Sequence, residues 1–278
     1  MSRADTIFLQ NCRDILQNGT WDTDLPVRPH WADGTPAHTV KRFGLVNRYD
    51  LREEFPILTV RKINFKAALD EIFWIWQKKS NRIADLHSHI WDQWADENGT
   101  IGKAYGYQLG VKHRYPEGMF DQVDRVLYDL QHNPQSRRIL TNLYNHADLS
   151  EMQLYPCAYS LTFNVTGRTL NCILNQRSQD MLTANGWNVC QYAALVHMFA
   201  RASGLEAGEL VHVVADAHIY DRHVPIVEKL LEREADCLSA PRLVIADGVT
   251  DFYAFTTDNV YLEGYESLKG IGKIPVAI

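Results

Sequence analysis

The stretch that most constrains the fold is residues 157–175, which has the pattern of two strands joined directly by a short turn. Apolar and small polar side chains alternate through 157–165, Thr-Gly-Arg follows at 166–168, and a second extended run covers 169–175. Alternation with a period of two is typical of a strand with one buried face, so we expect the odd-numbered residues from Cys157 to Val165 to share a face. Strands that pair in a hairpin favour the mixed or antiparallel sheet of an α+β protein over a doubly wound parallel sheet.

Apolar residues at helical spacing predict four helices, and two further runs predict strands. The helices are expected at 6–17, 64–79, 121–133 and 188–203, and the strands at 210–215 and 242–246. The second helix is apolar almost all round, which predicts a central position in the fold. The Asn18-Gly19 pair and Gly204 stand where helices usually end, and Asn188 has a side chain preferred at a helix N-cap.

Length and charge narrow the class of protein. The chain has 278 residues and no stretch with the composition of a linker, so we expect one domain over residues 1–278, large enough to build a full core unaided. The turn-rich segment 18–39 contains two tryptophans and is expected to be an ordered loop. With 28 Lys and Arg against 34 Asp and Glu, the net charge of −6 argues against a general nucleic-acid-binding protein. No run approaches the roughly 18 apolar residues of a membrane-spanning helix.

Cysteine usage points to a reducing compartment. The five cysteines are odd in number and contain no Cys-x-x-Cys pair, so neither a disulfide framework nor a structural zinc site is expected. No export signal is visible in the first residues. These features predict a cytoplasmic protein, and the lack of ligand-like spacing among its His, Asp and Glu residues predicts no bound metal.

Cys157 differs from the other cysteines because it follows Pro156 at the start of the predicted hairpin. Most buried cysteines are small apolar core residues, and that interpretation applies to the other four. A thiol at the end of a strand is open to a cleft, and a neighbouring cation would lower its pKa. We expect that cation to come from Arg137 and Arg138 or from Arg177.

Glu71 immediately precedes the five apolar residues 72–76 of the central helix. One interpretation is that Asp70 and Glu71 form the solvated stripe of that helix. The other is a carboxylate buried among Phe73, Trp74 and Trp76, whose pKa would rise by desolvation and suit general acid–base chemistry near neutral pH.

Several other side chains complete a candidate cleft. Adjacent arginines and the Arg177-Ser178 pair suit phosphate oxygens, although a solvated turn is the commoner use of such arginines. Trp91 and Trp94 could form a shelf for a flat ring or simply pack in the core. The alternating residues Asp216, His218 and Tyr220 follow a strand and are expected to point one way. Together these residues suit a planar phosphorylated substrate.

Nine segments of the chain, taken in order and spacing, resemble the folate-dependent thymidylate synthases. They are 50–62, 90–99, 105–106, 136–138, 154–157 (Leu-Tyr-Pro-Cys), 175–180 (Asn-Gln-Arg-Ser-Gln-Asp), Asn188, 216–220 and 275–278. The resemblance covers nearly the whole chain. It implies a single α+β domain in which a large mixed β-sheet packs against helices.

The resemblance also implies an activity, the reductive methylation of dUMP to dTMP with 5,10-methylenetetrahydrofolate through a covalent bond between a cysteine and C6 of the pyrimidine. The catalytic residues would be Cys157, Glu71, Tyr105 and Asn188. The dUMP-binding residues would be Arg28, Arg137, Arg138, Gln176, Arg177, Ser178, Asp180, Asn188, His218 and Tyr220. The folate-binding residues would be Ile90, Trp91, Trp94, Asp180, Trp187, Val276 and Ala277. The family implies a cytoplasmic homodimer in which Arg137 and Arg138 reach the partner's site.

Some positions depart from the family pattern, and two alternatives stay open. Ala158 stands where many members have histidine, and Arg61 stands where a lysine usually meets the folate tail. Ala184 replaces a common glycine, and Trp187 ends an Asn-Gly-Trp triplet that replaces a more usual Leu-Pro-Phe. A pyrimidine-nucleotide hydroxymethylase would use the same intermediate, although asparagine at 188 favours uracil over cytosine. A non-catalytic nucleotide- or RNA-binding protein on this fold is the second alternative.

Overall fold

The predicted hairpin forms, and it lies inside a six-stranded sheet. The computed structural model describes residues 1–278. The strands are β1 (Thr20–Trp21), β2 (Thr39–Asp50), β3 (His113–Tyr115), β4 (Gly118–Phe120), β5 (Leu140–Asn142), β6 (Ala158–Thr166), β7 (Thr169–Asp180), β8 (Glu206–Tyr220), β9 (Arg242–Ile245) and β10 (Val260–Glu263). The large sheet has the order β1-β2-β8-β7-β6-β5, while β3–β4 and β9–β10 form two small separate pairs.

The large sheet is mixed, as the sequence predicted. Strands β7 and β8 run parallel, whereas the neighbouring pairs β6–β7 and β2–β8 are antiparallel. The parallel connection requires a crossover, which is supplied by a helix between β7 and β8. Strand β2, twelve residues long, was not predicted, because its exposed face carries charged residues and a glycine that obscure the alternation.

The alternation in β6 is interrupted at its first residues. Leu161, Phe163 and Val165 are buried as expected, but Ala158 is buried as well, while Tyr159 is only half-buried. The cause is a shift in register between Ala158 and Ser160 where β6 pairs with β7. An extra residue at a bulge moves the side chains before it to the opposite face, so the expectation of one shared face from Cys157 onward is wrong.

Six helices surround the sheet. They are α1 (Arg3–Asn18), α2 (Phe65–Trp76), α3 (Gly106–Gly110), α4 (Gln122–His132), α5 (Gly186–Ala202) and α6 (Val224–Leu231). The four predicted helices are confirmed, with ends that differ by one to three residues. Gly19 follows α1, and Gly204 follows α5 with φ of 67°, a conformation that glycine adopts without a steric penalty.

Helix α2 is central, as its apolar surface predicted. Ten of its twelve residues are buried, and the side chain of Asn64 caps its start by accepting a hydrogen bond from the Ala67 N–H at 3.2 Å. It packs against α5, and 62 of the buried apolar residues form one continuous cluster. Gly186 permits the close approach at the start of α5, because a Cβ there would lie 2.6 Å from Leu58 Cδ1.

Two local expectations are corrected here. Asn188 does not cap α5, since a single π-helical turn, Met181–Asn185, precedes the helix and Asn188 lies inside its first turn. The segment 18–39 is not a loop throughout, because it contains β1, and of its two tryptophans it buries Trp31 but leaves Trp21 45% exposed. No helix of the chain combines the length and apolar character needed to cross a membrane.

Candidate active site

Cys157 lies just before β6, half-buried and next to a guanidinium group. Arg177 Nη2 is 3.6 Å from the Cys157 sulfur, and the same guanidinium donates to the carbonyl oxygens of Tyr155 and Pro156 at 2.8 and 3.1 Å. Burial raises the pKa of the Cys157 thiol, while the positive charges of Arg177 and Arg28 act in the opposite direction. Of the cations expected beside this sulfur, the chain therefore provides Arg177 and not Arg137 or Arg138.

Tyr105 approaches the same residue from a strained backbone. Its hydroxyl accepts a hydrogen bond from the Cys157 N–H at 3.0 Å. Tyr105 has φ of 44° and ψ of −106°, a conformation that costs about 1–3 kcal/mol in a residue other than glycine. The next residue, Gly106, lies against the backbone of Ser80, where a Cβ would come within 2.3 Å of the Ser80 carbonyl oxygen. This contact holds the turn that aims Tyr105 at Cys157.

An open cavity of about 320 Å³ is lined by Arg177, whose guanidinium contacts the thiol, and by the residues expected to hold a phosphorylated sugar. Its lining includes Arg28, Arg177, Ser178, Asp216, His218 and Tyr220. His218 Nδ1 is 2.8 Å from Asp216 Oδ1, and the rings of His218 and Tyr220 meet edge to face at 5.2 Å. The three alternating residues therefore point one way, as the sequence indicated.

Arg137 and Arg138 do not join this cavity within one chain. Both are exposed, and they line a different cavity together with Arg125, Asp129 and Glu117.

Glu71 is buried at 7% exposure and receives three N–H donors. Trp91 Nε1 and Gln191 Nε2 donate to it at 2.5 Å each, and Trp187 Nε1 donates as well. Burial raises the pKa of the Glu71 carboxyl, and the three donors oppose that effect. The solvated-stripe interpretation is wrong for both acids of α2, because Asp70 is also buried and binds His87. The direct partners of Glu71 come from distant parts of the sequence and not from Phe73, Trp74 or Trp76.

Asn188 lies between this carboxylate and β7. Its Nδ2 donates to Gln191 Oε1 at 3.2 Å, while its Oδ1 accepts from Gln176 and Gln179 at 3.4 and 3.3 Å. The opposite end of Gln176 faces His212 Nε2 at 2.5 Å. A half-buried amide with both ends engaged can read the edge of a pyrimidine ring, because it offers one donor and one acceptor in a fixed direction.

The sequence model of the thymidylate synthase family matches residues 6–278. The chain is 43% identical over 271 residues to thymidylate synthase of Bacillus subtilis subsp. natto, covering 96% of both chains. It is 37% identical to thymidylate synthase of Clostridium beijerinckii over the full length of both. The fold matches the structure of thermostable thymidylate synthase A from Bacillus subtilis with a TM-score of 0.94, at 41% identity and 99% coverage of both chains.

The chain belongs to the thymidylate synthase family. The predicted α+β fold with a large mixed sheet is thereby confirmed, and so is the family resemblance. The activity is that of a thymidylate synthase, a methyltransferase, and the names of the relatives favour it over the hydroxymethylase alternative.

The residues that the thymidylate synthase resemblance assigns to folate are arranged less simply than expected. Trp91 and Trp94 lie 5.4 Å apart with their rings inclined by 59°, so they do not form one flat shelf. Trp91 is buried and directs its N–H to Glu71, whereas Trp94 is half-buried and Ile90 is 39% exposed.

Asp180 begins the π-helical turn and uses its carboxylate as a cap. It accepts from the N–H groups of Leu182 and Thr183 at 2.9 and 3.1 Å and from the Thr183 hydroxyl at 2.5 Å. Burial acts to raise the pKa of Asp180, but the imidazole of His223, whose Nδ1 is 3.7 Å from Asp180 Oδ1, and the charge of His218 bring that pKa below its usual value. Asp180 is therefore a half-buried carboxylate that is stabilised in its charged form.

The C-terminal residues lie across the loop that carries Arg28. The backbone of Ile278 pairs with His30 through two hydrogen bonds of 2.8 and 3.0 Å, and His223 Nε2 is 2.8 Å from the Pro275 carbonyl oxygen. Val276 is 49% exposed, and Ala277 is half-buried.

Sequence reasoning missed four polar residues of the site: Gln179, Gln191, His212 and His223. Gln191 had a usable signal, because residues three apart on a helix share a face and Asn188 was already a candidate. His212 and Gln176 become neighbours only through the parallel pairing of β7 with β8, which the sequence does not reveal. No group of three or more His, Cys, Asp or Glu residues is placed to hold a metal ion.

Proposed function

We propose that this chain converts dUMP to dTMP with 5,10-methylenetetrahydrofolate, and that residues 1–278 act as one domain. The observation that carries the proposal is the contact of the Cys157 sulfur, at 3.6 Å, with Nη2 of Arg177, which lines one cavity together with Arg28, Ser178 and His218. A nucleotide whose phosphate occupies that cavity would bring its pyrimidine ring toward the sulfur on one side and Asn188 on the other.

In the proposed mechanism, the Cys157 thiolate forms a bond to C6 of the uracil ring and so makes C5 nucleophilic. C5 then bonds to the methylene carbon of the folate co-substrate. Glu71, with Tyr105 beside Cys157, manages the proton transfers that remove the C5 hydrogen and release the folate amine. The folate supplies both the carbon and a hydride, and expulsion of the Cys157 thiolate from C6 restores the ring, leaving dTMP and dihydrofolate.

Arg28, Arg177 and Ser178 would bind the phosphate, because guanidinium groups pair with phosphate oxygens through parallel hydrogen bonds. His218 and Tyr220 would hold the deoxyribose hydroxyl, and Gln176 would support Asn188 at the base. Two buried donors, Gln176 and Gln179, and one buried acceptor, Gln191, surround Asn188 and make the reading of the base depend on hydrogen-bond direction as well as on shape.

The folate would occupy the side of the cleft near Asp180. A carboxylate has about four acceptor sites, and three hydrogen bonds from within the chain leave room for a pterin N–H at Asp180. Trp94, Trp187 and Ile90 would contact the folate rings, with Trp91 behind them. Val276 and Ala277 would cover the co-substrate and exclude water.

We further propose a homodimer in which Arg137 and Arg138 bind the phosphate in the partner's site. Two observations support it. Both arginines are exposed and do not line the cavity that holds Arg28 and Arg177 in the same chain. The large sheet also exposes apolar side chains: Phe43 by 89%, Val46 by 58% and Ile173 by 41%. Exposed apolar side chains grouped on a sheet mark an interaction surface. The five free cysteines fit a cytoplasmic location.

The test of the activity is turnover of the purified protein with dUMP and 5,10-methylenetetrahydrofolate, following dTMP and dihydrofolate together. Both products are expected in equal amounts from the wild type, and neither from Cys157→Ala. Hydroxymethyl-dUMP without dihydrofolate would instead indicate the hydroxymethylase, and nucleotide binding without turnover would indicate a binding protein.

The test of the shared site is subunit complementation. Cys157→Ala and the double variant Arg137→Ala/Arg138→Ala are each expected to have little activity alone. A mixed dimer would contain one site with an intact thiol and intact partner arginines, so mixing with subunit exchange should restore activity. Failure of the mixture to recover, with exchange verified by mass, would contradict the proposed sharing.

A further inference from the structure

The amide of Asn188 can discriminate between pyrimidines only if it is prevented from rotating. Uracil presents a donor at N3 and an acceptor at O4, whereas cytosine presents an acceptor at N3 and a donor at its amino group. A 180° turn of an asparagine amide exchanges its donor and acceptor, so a free asparagine would satisfy either base. Something in the chain must therefore fix its direction.

Gln191, three residues along α5, has an amide whose own direction is fixed. Its Nε2 faces two acceptors, the Ala68 carbonyl oxygen at 2.9 Å and Glu71 Oε2 at 2.5 Å. A backbone carbonyl can only accept a hydrogen bond, so the reversed amide would place an oxygen against it in a buried site. Gln191 is 2% exposed, and such an unpaired contact is costly there. Gln191 Oε1 is thus left to accept from Asn188 Nδ2.

Hydrogen bonds to the oxygen of Asn188 favour the same direction of its amide. Gln176 and Gln179 both direct Nε2 at its Oδ1, and Gln176 Oε1 faces His212 Nε2. Burial lowers the pKa of His212 to about 3, so the ring is neutral at physiological pH, and the tautomer that suits the facing amide oxygen of Gln176 carries its hydrogen on Nε2. Every hydrogen bond from His212 to Glu71 therefore runs in one direction.

We propose that Gln191 is a positioning residue that determines pyrimidine specificity, holding Asn188 with its oxygen toward the N3–H of uracil and joining it to Glu71. This inference rests on the proposed function, since it assumes that Asn188 faces the base. Asn188 Nδ2 keeps a second hydrogen for O4, so the bond to Gln191 does not compete with the substrate. Cytosine meets a donor opposite its amino group and an acceptor opposite its unprotonated N3.

The side chain of Gln191 also affects the pKa of Glu71. Gln191 donates to the ionised carboxylate, so its loss raises the pKa of Glu71. The other titratable groups around Glu71 are Asp70 on α2, Cys190 and Tyr192 on α5, and Tyr105. None of them is altered by a change at Gln191, which makes the pH profile a readout of this one hydrogen bond.

The experiment measures the Kd of dUMP and of dCMP by calorimetry, without folate, for the wild type and Gln191→Met. Methionine keeps the volume and removes the amide, so the preference for dUMP over dCMP should narrow by about tenfold. The acid limb of the kcat profile should also move to higher pH. An unchanged Kd ratio together with an unmoved acid limb would overturn the proposal.

Gln179→Met is the matched control, because Gln179 is also buried and donates to the same Asn188 oxygen but does not contact Glu71. It should leave the acid limb in place. Gln191→Asn is a second variant that retains a buried amide but is too short to span Asn188 and Glu71, and the same two changes are expected from it. Wild-type turnover of dUMP tests the proposed function separately: its absence would contradict that proposal, whereas an active wild type with an unchanged Gln191→Met would contradict only this one.

Discussion

The two sides of the cleft use their polar groups in opposite ways. On the arginine side, defined by Arg28, Arg177, Ser178 and His218, the cavity is open and the cationic groups face it. On the amide side, defined by Glu71, Trp187, Asn188 and Gln191, the donors and acceptors bind one another in the interior.

This difference separates affinity from chemistry. Open cations can strip the hydration from a phosphate and attract it from solution, while an interior network with fixed directions stabilises charge and orientation before substrate arrives. A change on the arginine side should therefore act mainly on nucleotide binding and on the thiol. A change on the amide side should act mainly on proton transfer and base choice.

Glu71→Gln should give the largest effect, a loss of turnover with little change in dUMP binding. Loss of a general acid–base group lowers turnover by roughly 10²–10⁴-fold, whereas the Kd of dUMP should stay within a few-fold of the wild type because the arginine side is untouched. Steady-state kcat and calorimetric Kd measure the two quantities. A parallel loss of binding and turnover would show that the two sides are not independent.

Arg177→Ala should produce the reverse pattern. The loss of a charged hydrogen bond to phosphate is expected to weaken dUMP binding by roughly 10–100-fold. Because the Arg177 charge lowers the pKa of Cys157, its removal raises that pKa, and the rate of thiol alkylation should reach half its maximum at a higher pH. Arg168→Ala, an exposed arginine in the β6–β7 turn, is the control and should change neither measurement.

Trp187→Phe should have a smaller effect, confined to the amide side. It removes one of three donors to Glu71 and keeps most of the ring, so turnover should fall by roughly tenfold. The bond from Trp187 lowers the pKa of Glu71, and its loss should move the acid limb of the pH profile upward. Trp94→Phe, which makes no bond to Glu71, should leave that limb unmoved. If the acid limb of the pH profile does not shift in Trp187→Phe, the hydrogen bond from Trp187 does not stabilise the ionised Glu71.

The sequence predicts the contacts of the two sides well where the contacting residues are close in sequence, and poorly where they are far apart. Helix ends at Gly19 and Gly204 depend on local backbone preferences and were predicted. Arg177 and Cys157 were brought together correctly because a hairpin relates them. The apolar neighbours of Glu71 made burial one of two interpretations. Its donors Trp187 and Gln191 lie 116 and 120 residues away, and only packing of α2 on α5 reveals them.

The errors have local physical causes as well. The N-cap interpretation of Asn188, one of two offered for it, followed from a residue type common at caps, but the π-helical turn 181–185 moves the helix start to Gly186. The predicted alternation of faces in β6 is wrong before the bulge beside Ala158, and no residue preference in the sequence marks that bulge. The family resemblance named most of the candidate residues, but it did not indicate which of them bond to one another.

His212 offers the mildest test, since it concerns stability and not catalysis. Burial lowers the pKa of His212 to about 3 from an ordinary value of 6.5, so below about pH 6.5 the unfolded chain takes up a proton that the folded chain excludes. The stabilising contribution of the neutral ring is complete above pH 6.5 and is lost as the pH falls toward 3. Between pH 7 and pH 5, this residue should account for about 2 kcal/mol of the loss in unfolding free energy.

His212→Gln retains an amide donor for Gln176 and cannot titrate, so the difference in unfolding free energy between pH 7 and pH 5 should shrink by about that amount. Urea unfolding at the two pH values measures it, with His113→Gln, an exposed histidine on β3, as the control that keeps the wild-type difference. Equal losses in His212→Gln and the wild type would mean that the ring already accepts a proton in the folded protein. A protonated His212 would still donate from Nε2 to Gln176, so that hydrogen bond would keep its direction, and the added proton would lie on Nδ1, which has no hydrogen-bond partner within the chain.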